Sequence, residues 1–431
     1  MAQTVDAICA DGVNGEFNTR QGTQVCVAIL GARGHYGVPK LLNCAGMLGK
    51  FYTDLYLANN GWRRVLEAIP PKLRPRFAER VLGRFDGELP KDKAVSFNAL
   101  GLWYAWQRRI ARDQMAMDRV HIKMARDFGC KVVRRGLNGS NVLYGVNGAA
   151  LELFQYARER RVRCLLEQAL APRKIVRALL TQEVERWPGW EPSLMVEQSD
   201  DPIGQREQQE WALSDTIVAG SPFVIDGLRQ LGVPETKCRW VPYGVSLKSF
   251  SAEERDDRQS ALKLKVLFAG EVGLRKGAVY LLSALQLLNS PYIQAKFAGP
   301  VSLKSAKLRS FLGHAAFLGA VPRNRMIELY RWADLLVLPS ICEGSALVTY
   351  EALASGLPVI ATPNTGAPVR DGTNGVIVPI RDVEALAHAI ERFARDHELL
   401  RFYRHNAVLG RDHLGLDAYQ QRLAAVASTM S

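Results

Sequence analysis

Short, uninterrupted apolar runs alternate with amphipathic stretches along much of the chain. Gln24 to Leu30 reads as a buried strand with the core Val-Cys-Val-Ala-Ile-Leu. Gly31, Gly34 and Gly37 follow, and the spacing then predicts a helix from Val38 to Leu48. Lys265 to Ala269 repeats the pattern, with Gly270, Gly273 and Gly277 and then a leucine-rich helix from Val279 to Leu288. Strand, glycine loop, helix is the opening of a doubly wound α/β unit. Two such openings, about 240 residues apart, predict two domains in tandem.

The second half keeps the alternation. Strands are predicted at Gln294–Phe297, Ala316–Leu318, Asp334–Leu338 and Pro358–Ala361. Helices are predicted at Asn324–Trp332, at Leu347–Ser355 with Gly356 as the C-terminal cap, and at Val383–Arg395. This order implies a parallel sheet covered on both faces. The first half is less regular. Residues 59–95 give weak helical signals, 99–128 read as one long helix, and Asn141–Val146, Cys164–Leu166 and Thr216–Ala219 read as strands. Pro242, Gly244 and the charged run Glu253–Arg258 place the join between domains near Val241–Leu262.

Composition adds limits. With 48% hydrophobic and 23% charged residues, the 431-residue chain is neither disordered nor fibrous. No apolar run approaches the roughly 20 residues of a membrane-spanning helix, and the polar first 23 residues do not read as a signal peptide, so a cytoplasmic protein is expected. The seven cysteines, at 9, 26, 44, 130, 164, 238 and 342, form no Cys-x-x-Cys pair and read as reduced, mostly buried side chains. Charge is less evenly spread. Residues 61–140 carry 18 Lys or Arg against 8 Asp or Glu, so this window supplies +10 of the net +13. Such a concentration suggests an anionic partner.

The most specific stretch is Pro339–Thr362, PSICEGSALVTYEALASGLPVIAT, in which Glu343 and Glu351 stand eight apart. Gly344 and Ser345 are read as opening a helix, with Glu351 about two turns inside it. A helix start offers free N–H groups to a diphosphate. A carboxylate beside that end can accept from sugar hydroxyls, and one further along can take a ribose diol bidentately. A nucleotide-sugar presents sugar, diphosphate and ribose in that order.

The segments ADLLVLPS, EGSALVTYEALASGLPVIAT and DGTNGVIVP, within Asp334–Asp382, resemble the donor domain of family 4 retaining glycosyltransferases. The resemblance is strong over 263–395, moderate over 214–250, where SDTIVAGSPFV and VPYGV stand, and thinner before that, where Gly31–Leu42 matches the family's first glycine loop in position. It implies an α/β fold of GT-B architecture, two Rossmann-like doubly wound domains facing across a cleft. The expected domains are 24–242 for the acceptor, 263–405 for the nucleotide-sugar donor, and a C-terminal helix in 406–431 that returns to the first domain.

By the same resemblance the protein is a retaining, metal-independent glycosyltransferase that uses a nucleotide-sugar as substrate, with no cofactor. Glu343 is expected at the donor sugar and Glu351 at the ribose, with Gly344, Ser345, Ala346 and Gly34 as further donor-binding positions. Lys276 and Arg275 would offset the charge growing on the leaving diphosphate. The family usually carries Arg just after the first glycine of this loop; here Glu271 follows Gly270. The His that many relatives carry after a mid-domain strand is replaced by Glu167, so Glu167 and His35 are candidate acceptor or sugar contacts. Glu207 and Glu210 read as helix surface, and Asp371 and Asn374 as turn formers.

The acceptor would be a glycan or a lipid-linked sugar. GLWYAWQRRIAR, at 101–112, mixes Trp103, Tyr104 and Trp106 with Arg108, Arg109 and Arg112. With Arg63, Arg64, Lys72, Arg74, Arg76, Arg80 and Arg84, it suits docking of residues 61–135 on the inner face of an anionic membrane. No nucleic-acid motif accompanies the charge. The alternatives are a non-catalytic GT-B binding protein, a phosphorylase or a nucleotide-sugar epimerase.

Overall fold

The computed structural model describes residues 22–56, 68, 69, 82, 84, 85, 87–194, 201–250 and 263–430. Arg63, Arg64, Lys72, Arg74, Arg76, Arg80, Cys9 and the run Glu253–Arg258 lie outside the described residues. Two parallel sheets carry the fold. The first holds β1 (Val25–Ile29), β2 (Leu48–Thr53), β3 (Ala94–Ser96), β4 (Val142–Val146), β5 (Arg163–Gln168), β6 (Thr216–Ala219) and β7 (Cys238–Trp240), in the order β3-β2-β1-β4-β5-β6-β7. The second holds β8 (Leu264–Ala269), β9 (Ile293–Ala298), β10 (Ala315–Gly319), β11 (Leu335–Leu338), β12 (Val359–Ala361) and β13 (Gly375–Ile377), in the order β10-β9-β8-β11-β12-β13. The central strands β1, β4, β5, β6, β8, β11 and β12 are almost wholly buried, as near-continuous apolar runs require when helices cover both faces, while the edge strands are partly exposed. In each sheet the order reverses beside the first strand, β1 next to β4 and β8 next to β11. The carboxyl ends of those pairs open the crevice where such folds bind ligands.

The covering helices are α1 (Gly37–Cys44), α2 (Asn98–Ile110), α3 (Gln114–Arg135), α4 (Leu151–Glu159), α5 (Arg173–Arg186), α6 (Pro202–Leu213) and α7 (Pro222–Gln230) in the first half. In the second they are α8 (Ala278–Leu288), α9 (Arg323–Trp332), α10 (Leu347–Ala354), α11 (Val383–Arg395), α12 (His397–Leu409) and α13 (Leu416–Ser428). α13 lies against α1, and its Tyr419, Leu423 and Ala427 enter the core beside β1 and β4.

Several local expectations need correction. The run Val38–Leu48 is not one helix. A 3-10 turn at Arg33–Tyr36 leads into α1, which stops before Gly46 in a left-handed conformation (φ 71°), and Leu48 opens β2 beside Val25. The predicted long helix 99–128 is two, because Ala111 is extended and Asp113 starts α3 afresh, its carboxylate accepting from the Ala116 N–H at 2.6 Å. α10 begins at Leu347, with Ala346 as its N-cap, rather than at Gly344, so Glu351 stands a little over one turn inside it. Glu207 and Glu210 are not surface residues; both are buried. Of the six described cysteines, all free, Cys44 and Cys130 are exposed and four are buried; burial pushes the Cys26, Cys164 and Cys342 thiols up to about 12.

Candidate active site

The loop after β8 and the loop after β11 meet at the second switch point. The first carries Gly270 to Gly277. Gly277 is in the left-handed region (φ 69°), and a Cβ there would collide with the Pro339 carbonyl oxygen, so only glycine lets the two loops approach this closely. Ile341 N–H donates to the Arg275 carbonyl at 2.9 Å and ties them together.

This seam fixes three charged side chains. Arg275 Nη1 and Lys276 Nζ both reach Glu343 Oε1, each at 2.7 Å. Glu343 and Lys276 are nearly buried, and Arg275 is one-third exposed. Two cations on one carboxylate oxygen leave a net positive point at the mouth of the crevice, suited to an anion of higher charge.

Glu351 stands on the other side of the same crevice, at the edge of a cavity of about 240 Å³ lined by Gly270, Ala298, Gly299, Val321, Met326 and Val348, among others. The walls are mostly apolar or backbone, with this carboxylate as the charged group. The Tyr330 hydroxyl donates to Glu351 Oε2 at 2.7 Å, and Arg323 Nη2 lies 3.7 Å from Oε1. Burial raises the Glu351 pKa above the usual carboxylate range, while the Tyr330 bond and Arg323 act against it.

The N-terminal domain closes on these loops. The Ser221 hydroxyl donates to the Gly344 carbonyl, and a Cβ on Gly344 would collide with the Ala169 carbonyl oxygen just after β5. The Ser345 hydroxyl donates to the Gly366 carbonyl at 2.9 Å and shares a hydrogen bond with Tyr350 Oη at 2.8 Å. Ala346 N–H donates to the Thr365 carbonyl at 3.2 Å. Gly366 is left-handed (φ 61°) and packs on Gly344 and Ser221, so this short turn is part of the seam between domains. Asp371 and Asn374 bond the backbone N–H groups of Ile377 and Arg370 and form a turn.

Across the crevice, Gly34, His35 and Tyr36 are three successive left-handed residues (φ 51°, 52° and 61°). Two of them carry side chains that resist this conformation by roughly 1–2 kcal/mol each. The turn is held by burial of Tyr36, whose hydroxyl donates to the Leu55 carbonyl at 2.8 Å. His35 is exposed on this turn. Glu167, at the carboxyl end of β5, is buried and accepts from Tyr144 Oη at 2.6 Å and Tyr243 Oη at 2.8 Å. Glu271 accepts from the Ser302 hydroxyl on the loop after β9.

The structure thus brings Arg275, Lys276 and Glu343 into contact, sets Glu351 at the cavity between β8 and β9, and stacks Gly344–Ala346 against the N-terminal domain. Tyr330, Ser221 and Tyr243 were not singled out from the sequence. Tyr330 lies 21 residues from its partner Glu351 and Tyr243 lies 76 from Glu167, so no local spacing marks them.

Residues 263–396 match the family model described as glycosyl transferases group 1. A D-inositol 3-phosphate glycosyltransferase of Rhodococcus erythropolis is 30% identical across 43% of this chain and 47% of its own length. One of Mycobacterium sp. (strain KMS) is 34% identical across 43% and 46%. The chain thus spans about half the length of the curated relatives it matches. Sucrose-phosphate synthase from Thermosynechococcus elongatus superposes with a TM-score of 0.62 at 19% identity, over 94% of this chain and 98% of that one. HepE of Anabaena, in complex with UDP-glucose, superposes with a TM-score of 0.58 at 15% identity, over 94% and 99%. These likenesses extend over both sheets and show a GT-B fold. Through residues 263–396, the chain is similar to the group 1 glycosyl transferases.

Proposed function

We propose that the protein is a retaining glycosyltransferase that moves a sugar from a nucleotide-sugar to an acceptor held on the N-terminal domain. The observation that carries this reading is the pair of cations on Glu343 beside a cavity edged by Glu351. The cavity is proposed for the base and the Glu351 carboxylate for the ribose diol. A diphosphate reaching from there meets Arg275 and Lys276. It competes with Glu343 for both cations, which frees the Glu343 carboxylate to accept from hydroxyls of the sugar. As the bond from the anomeric carbon to the diphosphate oxygen breaks, the electron pair stays on the diphosphate, and these two cations stabilise the growing charge without a metal ion. Gly344, Ser345 and Ala346 would line the sugar's side of this path, and Gly34, with His35, the opposite wall.

On the acceptor side, Leu102, Trp106 and Ile110 are exposed at four-residue spacing along α2, with Arg108, Arg109 and Arg112 beside them. Among the described residues no helix is long and apolar enough to cross a membrane. An apolar stripe with adjacent cations supports peripheral docking on an anionic bilayer, and hence a lipid-linked acceptor.

The donor reading is tested by thermal stabilisation with UDP, GDP and ADP at millimolar concentration. The complex of HepE with UDP-glucose makes UDP the first to try. One nucleotide is expected to raise the melting point of the wild type by mass action, and Glu351→Ala to lose most of the gain. Absence of stabilisation by all three overturns the reading. Stabilisation without sugar transfer to any acceptor favours a non-catalytic binding protein, the alternative that Glu271 supports.

A further inference from the structure

The polypeptide between β5 and α6 does not stay with the sheet it comes from. Leu179 of α5, with Trp187, Trp190 and Leu194 just beyond it, packs on the core of the C-terminal domain. Polar bonds fix this seat. Glu183, fully buried, accepts from Tyr280 Oη at 2.7 Å and pairs with Arg381 Nε at 2.6 Å. Trp187 Nε1 donates to the same Tyr280 oxygen at 3.1 Å, and Lys304 N–H donates to the Trp190 carbonyl at 2.8 Å. A buried ion pair with its remaining valences filled is costly to break from one side. The arm is therefore a fixed fitting between the two halves of the chain.

One residue past Trp190, the arm reaches the loop proposed to hold the diphosphate. Glu191 Oε2 accepts from the Leu274 backbone N–H at 2.7 Å. Leu274 directly precedes Arg275 and Lys276. Gly273 leaves room for it, since a Cβ there would stand 2.9 Å from the same carboxylate oxygen and push the end of the Glu191 side chain aside. The loop is tied at its other end, where Gly277 N–H donates to the Leu274 carbonyl at 2.9 Å. Leu274 is thus held through both its N–H and its carbonyl, and the two cations follow from a fixed peptide. Burial raises the Glu191 pKa, and nearby Glu271 adds to this; the Leu274 N–H and Arg275 work against it.

We propose that Glu191 is a positioning residue of the donor site: supplied by the first half of the chain, it pins the Leu274 N–H and so sets where Arg275 and Lys276 present their charges. The inference rests on the donor-site reading above. Glu191 acts through the loop and touches neither sugar nor phosphate.

The test compares full-length wild type, Glu191→Ala and Glu191→Gln. Hydrogen–deuterium exchange of the 270–277 segment reports the pin without any nucleotide. Stabilisation by UDP, GDP and ADP reports its consequence. Glu191→Ala is expected to speed exchange in this segment about tenfold and to weaken nucleotide binding about tenfold. Glu191→Gln, whose amide oxygen still accepts from the N–H, should restore most of both. Unchanged exchange in Glu191→Ala overturns the pin, as does failure of Gln to rescue. A wild type that binds none of the three nucleotides overturns the donor-site reading and, with it, this role. A wild type that binds one, with Glu191→Ala binding equally well, overturns this inference alone. Should Glu191→Ala not fold, Gly273→Ala crowds the same carboxylate without removing it and is read in the same two ways.

Discussion

Both halves of the chain run strands into loops and then into helices, yet they use their acids differently. In the N-terminal half, three carboxylates at the loop and helix starts satisfy the half's own backbone. Glu210 accepts from the N–H groups of Gly148, Ala150 and Leu151 at the start of α4, at 2.6, 2.8 and 3.1 Å. Glu207 takes the Arg173 N–H at the start of α5, at 2.8 Å, together with the Asn147 and Gln168 amides. Asp54 takes the Gly31 N–H at 2.8 Å. Anion sites that a helix start would offer a ligand are filled from within. In the C-terminal half, Glu343 instead faces two cations and Glu351 faces a cavity. These partners can be exchanged for those of an incoming molecule. On the proposed function, substitutions at these two sets of acids should separate stability from turnover.

The largest effect is expected at Lys276. Lys276→Ala should lower the rate of sugar transfer about 10²- to 10³-fold, the range for losing one preorganised electrostatic contact, while the melting point moves by only a few degrees. A loss under tenfold, measured as nucleotide released per unit time, would break the contrast. Glu210→Ala should do the reverse. It leaves two buried N–H groups and one partly buried one without their acceptor and should cost roughly 3 kcal/mol in urea unfolding, with nucleotide affinity of the folded protein unchanged.

Glu210 also gives the contrast a pH signature. Burial raises its pKa from 4.5 to about 7, against the pull of the Gly148 and Ala150 N–H groups. The folded state therefore holds a proton that the unfolded chain releases near the ordinary value. Its stabilising contribution is complete below about pH 4.5 and is lost as pH rises to about 7. Measured across that window, the stability of wild type minus that of Glu210→Gln should fall as pH rises; a flat difference contradicts the assignment. The smallest effect is expected at the surface. Trp106→Ser should weaken sedimentation with phosphatidylserine vesicles several-fold and leave both nucleotide binding and stability nearly unchanged.

The second half was legible in the sequence because its signals are local. Buried parallel strands read as unbroken apolar runs, Glu343 and Glu351 sit in one short, dense motif, and Lys276 sits in the glycine loop after β8. β3, β7 and β13 are three-residue edge strands without the unbroken apolar run of the central strands, and were not read. β2 was hidden because Leu48 continued the helical spacing of α1, and only the left-handed Gly46 marks the change. Glu207 and Glu210 lie on a polar-looking helix, so the surface reading followed from composition. Their burial comes from backbone donors 34 to 62 residues away, which no window on the sequence contains. Glu191 was missed for the same reason, since its partner lies 83 residues on.

α13 bears on how the protein is made. Tyr419, Leu423, Ala427 and Met430 belong to the same core cluster as Val25, Val27 and Val142, and Arg422 Nη2 donates to the Pro242 carbonyl at 3.1 Å. Domains usually fold in order as they leave the ribosome. Here the core beside β1 and β4 is completed only by residues near the other end of the sequence, so its full packing is expected after Met430 has been made. An N-terminal half expressed alone would leave the α1 side of this core uncovered and is expected to aggregate.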